Sequence, residues 1–597
     1  MLVTIDNVSG RDFDYVVVGG GTAGLVVASR LAEDPAVSVL VLEAGPANLD
    51  EPSITMSGTF GKNFFHPEND WGFMTVVPQK HSDGNEYYWP RGKGLGGSSG
   101  MNFYVFTQPP AHDIDAIEKL GNPGWNWKNY IHYCKKSETF FPPEAEVARS
   151  ERLNYNPENH GTNAMIGPIS VCYPPMRSGW DNTFQDTLGG LGLKPLRDAT
   201  GGDGNGAWMA TCSVDPRTNR RSYAVSYLDE TRKNLSVLVS SPVAKVLSEK
   251  DNNANDELVA TGVEFFNDGK KYQVNARKEV ILSAGAVKTP QLLELSGIGN
   301  PELLNKLGVE TKVSLPSIGE NVQEHLFCAL SFELKNPENF NTLDPIADPE
   351  VLKEQLALYG ERKGLFLLSF LGAGTASLPS ISPNGKHLVR DHLARIDASA
   401  NTRSPGLHAQ YELQREKLEK DIASLEVVSM PVFLSRPNPP EPGKKYMTFV
   451  VVLNHPWSRG TIHADSTDPL AAPQMDPHCF EEEFDLQSMV ELVKFTRKIG
   501  KTAPLAREHN PGPEVETDEQ LTSWVKKTAS SIAHTAGTCS MLPREKGGVV
   551  DPRLKVYGTA NLRVVDLSVL PLHISAPTQT YAYGLAEQAA DVIKGLI

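Results

Sequence analysis

At 597 residues the chain is too long for one ordinary domain, and its 40% hydrophobic content supplies apolar side chains for two substantial cores. A net charge of −15 excludes nucleic acid or an anionic membrane surface as the main partner, because phosphate binding needs clustered lysine and arginine. No apolar run approaches the roughly twenty residues of a transmembrane segment, and no basic stretch followed by an apolar one opens the chain, so an intracellular, cytoplasmic protein is expected.

The first predicted elements lie in "DFDYVVVGGGTAGLVVASRLAEDPAVSVLVLEAG". Residues 14–18 read as a short, fully buried parallel strand, and residues 22–31 have the apolar spacing of a helix packed on a sheet. Between them Gly19, Gly21 and Gly24 form G-x-G-x-x-G, with Thr22 and Ala23 opening the helix. The pattern meets three demands: a tight turn, an approach to a pyrophosphate unobstructed by Cβ atoms, and close helix–strand contact. A second strand over residues 37–42 ends at Glu43, about twenty residues on, where a carboxylate can accept from both ribose hydroxyls. Alone, the glycines would describe only a glycine-rich turn; strand, helix, strand and acid together specify dinucleotide binding. Ala44 and Gly45 after Glu43 disfavour a 2′-phosphate, so FAD or NAD is preferred over NADP.

Next in the chain, "WPRGKGLGGSSGMNFYVF" (Trp89 to Phe106) is a second glycine-serine loop, able to wrap backbone N–H groups around another phosphate or a flavin edge. The six cysteines show no C-x-x-C spacing, so neither zinc nor a dithiol centre is expected, and no residue cluster has metal-ligand spacing. A Cys172–Cys212 bridge would require export. Sequons at Asn7 and Asn234 recur by chance at this length. Residues 330–445 lose the glycine-rich α/β character and run to charged helices such as "LQREKLEKDIASLEVV", then to the proline loop "RPNPPEPGKK". "YMTFVVVLNHP" reads as a buried strand of a second sheet.

Five stretches carry a resemblance. Gly92-Lys93-x-Leu95-Gly96-Gly97-Ser98-Ser99-x-Met101-Asn102 is followed by "GAVKTPQLLELSGIG" from Gly285 and "LPSIGENVQEH" from Leu315. "HPWSRGTIHADSTDP" from His455 and "SIAHTAGTCSM" with "VYGTANLRVVDLSVLP" complete the series. In this order they resemble the landmarks of the glucose-methanol-choline flavoprotein oxidoreductases, in the style of the fungal aryl-alcohol and glucose oxidase-like members, with Glu324 where the family usually has aspartate. The resemblance implies an α/β fold: a Rossmann-like FAD-binding domain and a second α+β substrate domain built on an antiparallel sheet. Residues 1–330 would be mostly FAD-binding and 331–530 mostly substrate-binding, with 531–597 a catalytic segment returning to the FAD domain.

The resemblance also implies roles. Gly97, Ser98 and Trp71 would meet the cofactor, and Asn102 would lie near the flavin N5 and O4 edge. Val243 would offer its backbone to adenine. Asp566 and Leu567 would bring backbone to the pyrophosphate or ribityl chain. N–H groups near Thr578 and Gln579 would hold the pyrimidine edge at the start of the last helix, whose dipole favours anionic reduced flavin. Where the family attaches flavin covalently it uses a histidine at the position Met101 holds, so FAD is expected to be non-covalent. His534 falls where the family has its proton acceptor, and an unperturbed imidazole titrates in the range that alcohol oxidation by hydride transfer to flavin N5 needs. His325 reads as structural, at a domain corner, and His455 as the end of a strand.

At the second catalytic position, usually histidine or asparagine, stands Pro577, which offers neither a polar side chain nor a backbone N–H. Pro577 and, less directly, His573 four residues upstream are assigned to the substrate pocket. The expected activity is FAD-dependent oxidation of a small alcohol, with oxygen or a quinone as electron acceptor, by a monomer or homodimer. The alternative is an FAD-containing cyclase or lyase of secondary metabolism.

Overall fold

The strand Asp12–Val18 runs into the helix Thr22–Leu31 and out to the strand Val39–Leu42, the βαβ unit the apolar spacing predicts. The computed structural model describes residues 1–76, 79–161, 166–250, 257–501 and 505–597. Val16, Val17 and Val18 are buried because parallel neighbours flank them, Val39–Leu42 on one side and the long strand Lys270–Leu282 on the other. The second strand begins at Val39 rather than residue 37, since Val37 N–H closes a turn on the Asp34 carbonyl. Leu235–Leu238 extends the sheet beyond Val39–Leu42, the antiparallel strands Leu258–Asn267 and Val243–Lys250 follow Lys270–Leu282, and Leu562–Val564 returns from the far end of the chain to pair with Lys270–Leu282. Four of the five parallel strands therefore end together, and the residues just past them, Gly19, Glu43, Ser283 and Asp566, all face one cavity. The crevice at the carboxyl ends of parallel strands is where open α/β sheets bind ligands.

The second sheet is antiparallel and runs in the order Leu505–Asn510, Leu326–Leu334, Tyr446–Leu453, Leu425–Met430, Gly372–Ala376, Gly206–Met209, with Ser530–Ser531 pairing the start of Leu326–Leu334. Alternation along its strands sorts two faces. Cys328, Leu330, Val427, Phe449 and Val451 pack into a core with Phe484, Met489 and Leu492 of the helix Glu483–Gly500. Phe327, Val428, Met430, Val450 and Val452 point the other way and cluster with Phe103 and Phe370. Covering on both faces explains why "YMTFVVVL" is apolar throughout.

One expectation needs correction here. The helix predicted through "LQREKLEKDIASLEVV" stops at Glu419, Asp421 adopts a left-handed φ of 51°, and Leu425–Met430 is a strand. Its β-branched valines and the demand for another strand outweigh the helical charge pattern before it. The sheet also takes Gly206–Met209 from within the expected region 1–330, and its strand Leu326–Leu334 straddles that boundary. Cys172 and Cys212 are buried cross-strand neighbours and free thiols, with sulfurs 4.0 Å apart. Among the described residues no helix is long and apolar enough to cross a membrane, and no group of side chains could hold a metal ion.

Candidate active site

A continuous cavity of about 490 Å³ runs from the carboxyl ends of the first sheet to the inner face of the second, within the range of small-molecule sites. Its dinucleotide arm is built by backbone. Gly21 caps the helix Thr22–Leu31 with no side-chain hydrogen bond, and a Cβ there would meet nothing closer than Gly97 Cα at 3.9 Å. The helix N–H groups thus face open space, with Thr22, Ala23, Gly97 and Ser98 on the wall beside them. Gly24 is a correction: it does not line the cavity. A Cβ there would lie 2.0 Å from the Gly19 carbonyl oxygen, so Gly24 serves helix–strand contact alone.

Glu43 is buried at the cavity wall, with Ala44 next to it. Its Oε2 accepts from Gly20 N–H at 2.7 Å, and its Oε1 from Gly45 at 2.8 Å and Gly94 at 3.0 Å. Burial lifts its pKa and these N–H groups oppose the rise. The carboxylate ties the first glycine loop to the second. Asp566 acts similarly: its carboxylate accepts from Gly285 N–H at 2.9 Å, Thr289 Oγ1 at 2.6 Å and Ser568 N–H at 2.8 Å. Leu567, Val243 and Trp71 join the wall, and the Trp71 ring has the Lys93 and Lys288 ammonium groups 5.2 and 5.0 Å from its centroid. Asn102 Nδ2 donates to Gln579 Oε1 at 2.9 Å while its Oδ1 accepts from Arg221 at 2.7 Å. Asn102, Thr578, Gln579 and Pro577 all line the cavity, and so does Met101. The helix that Thr578 caps, Gln579–Ile593, also starts without a side-chain cap.

His534 lies on the wall that both arms share, and its backbone is clamped. Its N–H donates to Glu324 Oε1 at 2.7 Å, and its carbonyl accepts from His573 Nε2 at 2.8 Å. Arg91 holds the preceding carbonyl, of Ala533, at 2.5 Å, and Ala533 itself sits at φ 64°, strained for a residue with a Cβ. Glu324 Oε2 accepts from Thr535 Oγ1 at 2.6 Å, so the residue that departs from the usual aspartate fixes the loop carrying His534.

Three imidazoles meet here. His534 Nδ1 and His325 Nδ1 are 2.9 Å apart, and the His573 ring lies 3.8 Å from that of His325, centroid to centroid. Burial, with His573 and Arg91 nearby, holds His534 at about 3, burial holds His573 at about 4, and burial with the other imidazoles holds His325 well below the usual range. All three are therefore neutral at physiological pH. Ile574 N–H donates to His573 Nδ1 at 2.9 Å, so His573 carries its proton on Nε2 and gives it to the His534 carbonyl. Two neutral rings facing through Nδ1 share one hydrogen. His534 Nε2 has no protein partner among the described residues. Two further corrections follow. His573 does not reach the cavity, since its nitrogens are spent on backbone. His325, read as a structural corner residue, lines the cavity and touches His534. His455 follows the strand Tyr446–Leu453 and bonds buried Asp113 at 3.0 Å and Ser575 Oγ at 3.0 Å, which anchors the loop before Pro577.

The substrate arm is the inner face of the second sheet, with Phe103, Phe327, Phe370, Val428 and Val450 on its wall and Glu426 among them. Sequence reasoning marks Glu324 only as a departure from the family's aspartate and His325 only as a corner residue, and it assigns Arg91 and Glu426 nothing. Of these last two, Arg91 alone had a signal, its place in the second glycine loop.

The sequence matches the N-terminal GMC oxidoreductase region over residues 13–327 and the C-terminal one over residues 456–586. It is 34% identical over 606 residues to the GMC oxidoreductase family protein Mala s 12 of Malassezia sympodialis, covering 99% of this chain and 93% of that one. Dehydrogenase citC of Monascus ruber is 33% identical over 623 residues, with 98% and 96% covered. Among solved structures, an FAD-dependent oxidoreductase from Chaetomium thermophilum superposes with a TM-score of 0.87 at 30% identity, over 98% of this chain and 99% of that one. A fungal aryl-alcohol oxidase does so with a TM-score of 0.85 at 28% identity, with the same coverage. The chain is an FAD-dependent oxidoreductase and belongs to the GMC oxidoreductase family.

Proposed function

We propose that the protein oxidises the alcohol group of a small, largely apolar molecule, with His534 Nε2 as the proton acceptor. The supporting observation is a neutral imidazole with one ring nitrogen unpartnered, held by three backbone contacts on the wall shared by a dinucleotide arm and an apolar chamber. The arm suits FAD. The space beside Gly21, the uncapped helix start and the Gly97–Ser98 loop would receive its pyrophosphate, and the start of the helix Gln579–Ile593 would meet its ring edge. Met101 cannot form a histidyl link, so we read the cofactor as held without a covalent bond. Bound FAD supplies the acceptor for the hydride that leaves the carbinol carbon.

The protein's own part is the proton. For His534 Nε2 to accept it, His534 must carry its hydrogen on Nδ1 and donate it to His325 Nδ1, which places the His325 proton on Nε2. Burial keeps both rings neutral, so His534 starts unprotonated as an acceptor must, but at about 3 it is a weaker base than the unperturbed imidazole expected from the sequence. The apolar wall surrounds the site of proton transfer with side chains that offer no competing hydrogen bond.

The test is anaerobic mixing of the holoenzyme with aromatic, aliphatic and sugar alcohols, following loss of the oxidised flavin absorbance. Bleaching by one class is expected. His534→Ala should slow it about 10²- to 10⁴-fold with flavin content unchanged, the usual worth of a positioned base. Reduction at the parent rate in His534→Ala would remove His534 from the mechanism, and turnover without bleaching would transfer the reading to a non-redox reaction on this fold.

A further inference from the structure

Three carboxylates line the cavity among the described residues. Glu43 and Asp566 are each held by backbone N–H groups of the dinucleotide arm. Glu426 is not. It stands in the strand Leu425–Met430, between Thr375 and Val452 of the neighbouring strands, on the face it shares with Val428 and Met430. The residue is 6% exposed, and among the described residues its one protein hydrogen bond comes from Asn454 Nδ2 to Oε2 at 3.2 Å. Among the described residues Oε1 has no protein donor, and the buried Oδ1 of Asn454 has none either. A buried carboxyl with so little compensation is costly unless something else donates to it. Burial accordingly lifts it to about 7, against only the Asn454 amide.

The group lies close to the chemistry. Asn454 backbone also lies against the His325 ring, the partner of His534. The chain just before Glu426 touches the loop of Pro577, with Ser575 Oγ 3.5 Å from the Ala423 carbonyl. Among the described residues the apolar chamber therefore has, besides His534 Nε2, a carboxyl oxygen without a protein donor, on a strand whose neighbouring residues reach the His325 ring and the loop of Pro577.

We propose that Glu426 is a specificity-determining residue whose carboxyl receives a second hydrogen-bond donor of the substrate. The preferred alcohols are then apolar, ring-bearing molecules that carry an additional hydroxyl, phenol or amine. This rests on the alcohol-oxidising reading above and names its substrate class.

The probes are toluene and the three methylphenol isomers, which have no carbinol to oxidise. Their affinities for the oxidised holoenzyme are read from perturbation of the flavin absorbance. At least one methylphenol should bind about tenfold or more tightly than toluene, because hydrogen bonds to charged groups contribute about 1.5–3 kcal/mol. Glu426→Leu should erase the advantage. Glu426→Gln, which keeps the shape, should reduce it several-fold, and the carboxyl infrared band that shifts on methylphenol binding should be missing from it. The isosteric variant decides the matter should Glu426→Leu fail to fold. No methylphenol advantage in the parent, or one that survives in the variants, overturns the inference. A Glu426-dependent advantage in an enzyme whose flavin no alcohol bleaches would sink the alcohol reading and leave this site standing; bleaching with an unchanged preference would do the reverse.

Discussion

In the dinucleotide arm the groups that face the ligand space are largely main chain: helix N–H groups at Gly21, and glycine loops pinned by Glu43 and Asp566. In the substrate arm they are side chains standing on strands whose backbone hydrogen bonds are spent within the sheet, Phe327, Glu426, Val428 and Val450 among them. A site made by backbone requires glycine where a Cβ would collide, so it constrains sequence tightly. A site made by side chains on a paired strand can exchange any of them without moving the frame. One arm therefore keeps the cofactor constant while the other is free to set the substrate.

The largest test of this contrast sets one substitution against another. Gly24→Val places a Cβ 2.0 Å from the Gly19 carbonyl oxygen, and the helix cannot yield without leaving the strand it packs on. We expect about 3 kcal/mol or more of destabilisation and loss of flavin from whatever folds. Val428→Ala, in the apolar arm, should cost about 1 kcal/mol and leave flavin content at the parent value. Flavin absorbance per chain and urea midpoints report both. Equal flavin loss in the two variants would break the contrast.

The same contrast explains what could be read in advance. The βαβ unit, its glycines and Glu43 were legible because local geometry sets their spacing. His534 was legible through the resemblance of its segment. His325 was not, since its contact with His534 spans 209 residues and depends on Ser530–Ser531 pairing antiparallel with Leu326 and Phe327. His573 misled in the other direction. A histidine near the end of the cofactor loop suggested the pocket, but Ile574 N–H and the His534 carbonyl turn its ring away. Glu426 was hidden in a stretch whose charges read as helix, and only the register with Val452 puts it on the cavity face.

A smaller effect is expected where the arms meet through His325. On the proposed tautomer, in which His534 donates through Nδ1, His325 Nδ1 is the acceptor that holds it, which makes His325 a positioning residue. His325→Ala should slow flavin reduction about 2- to 10-fold, the worth of one neutral hydrogen bond, with flavin content unchanged. His325→Gln offers an amide oxygen as replacement acceptor and should recover part of the rate. A merely structural role would show no such rescue, and the loss would track the urea midpoint instead.

The seam between the two arms supplies the smallest effect. His463, in the hairpin Thr461–His463 with Gln474–Asp476, meets Glu294 of the helix Gly285–Leu295 at 2.7 Å and Glu320 at 3.3 Å. Burial pulls the His463 pKa down, but hydrogen bonds to these two carboxylates outweigh it and lift the ring to about 9. The folded protein therefore binds the imidazole proton more tightly than the unfolded chain, whose histidine titrates near 6.5. The stabilisation is fully present below about pH 6.5 and disappears as pH rises towards 9, because the native state binds more protons over that window. Solvent screening on the Glu320 side, where the partner is about half exposed, limits it to on the order of 1 kcal/mol. Urea midpoints at several pH values across that window should fall more steeply for the parent than for His463→Gln, and parallel slopes would show that this pair does not couple the hairpin to the dinucleotide arm.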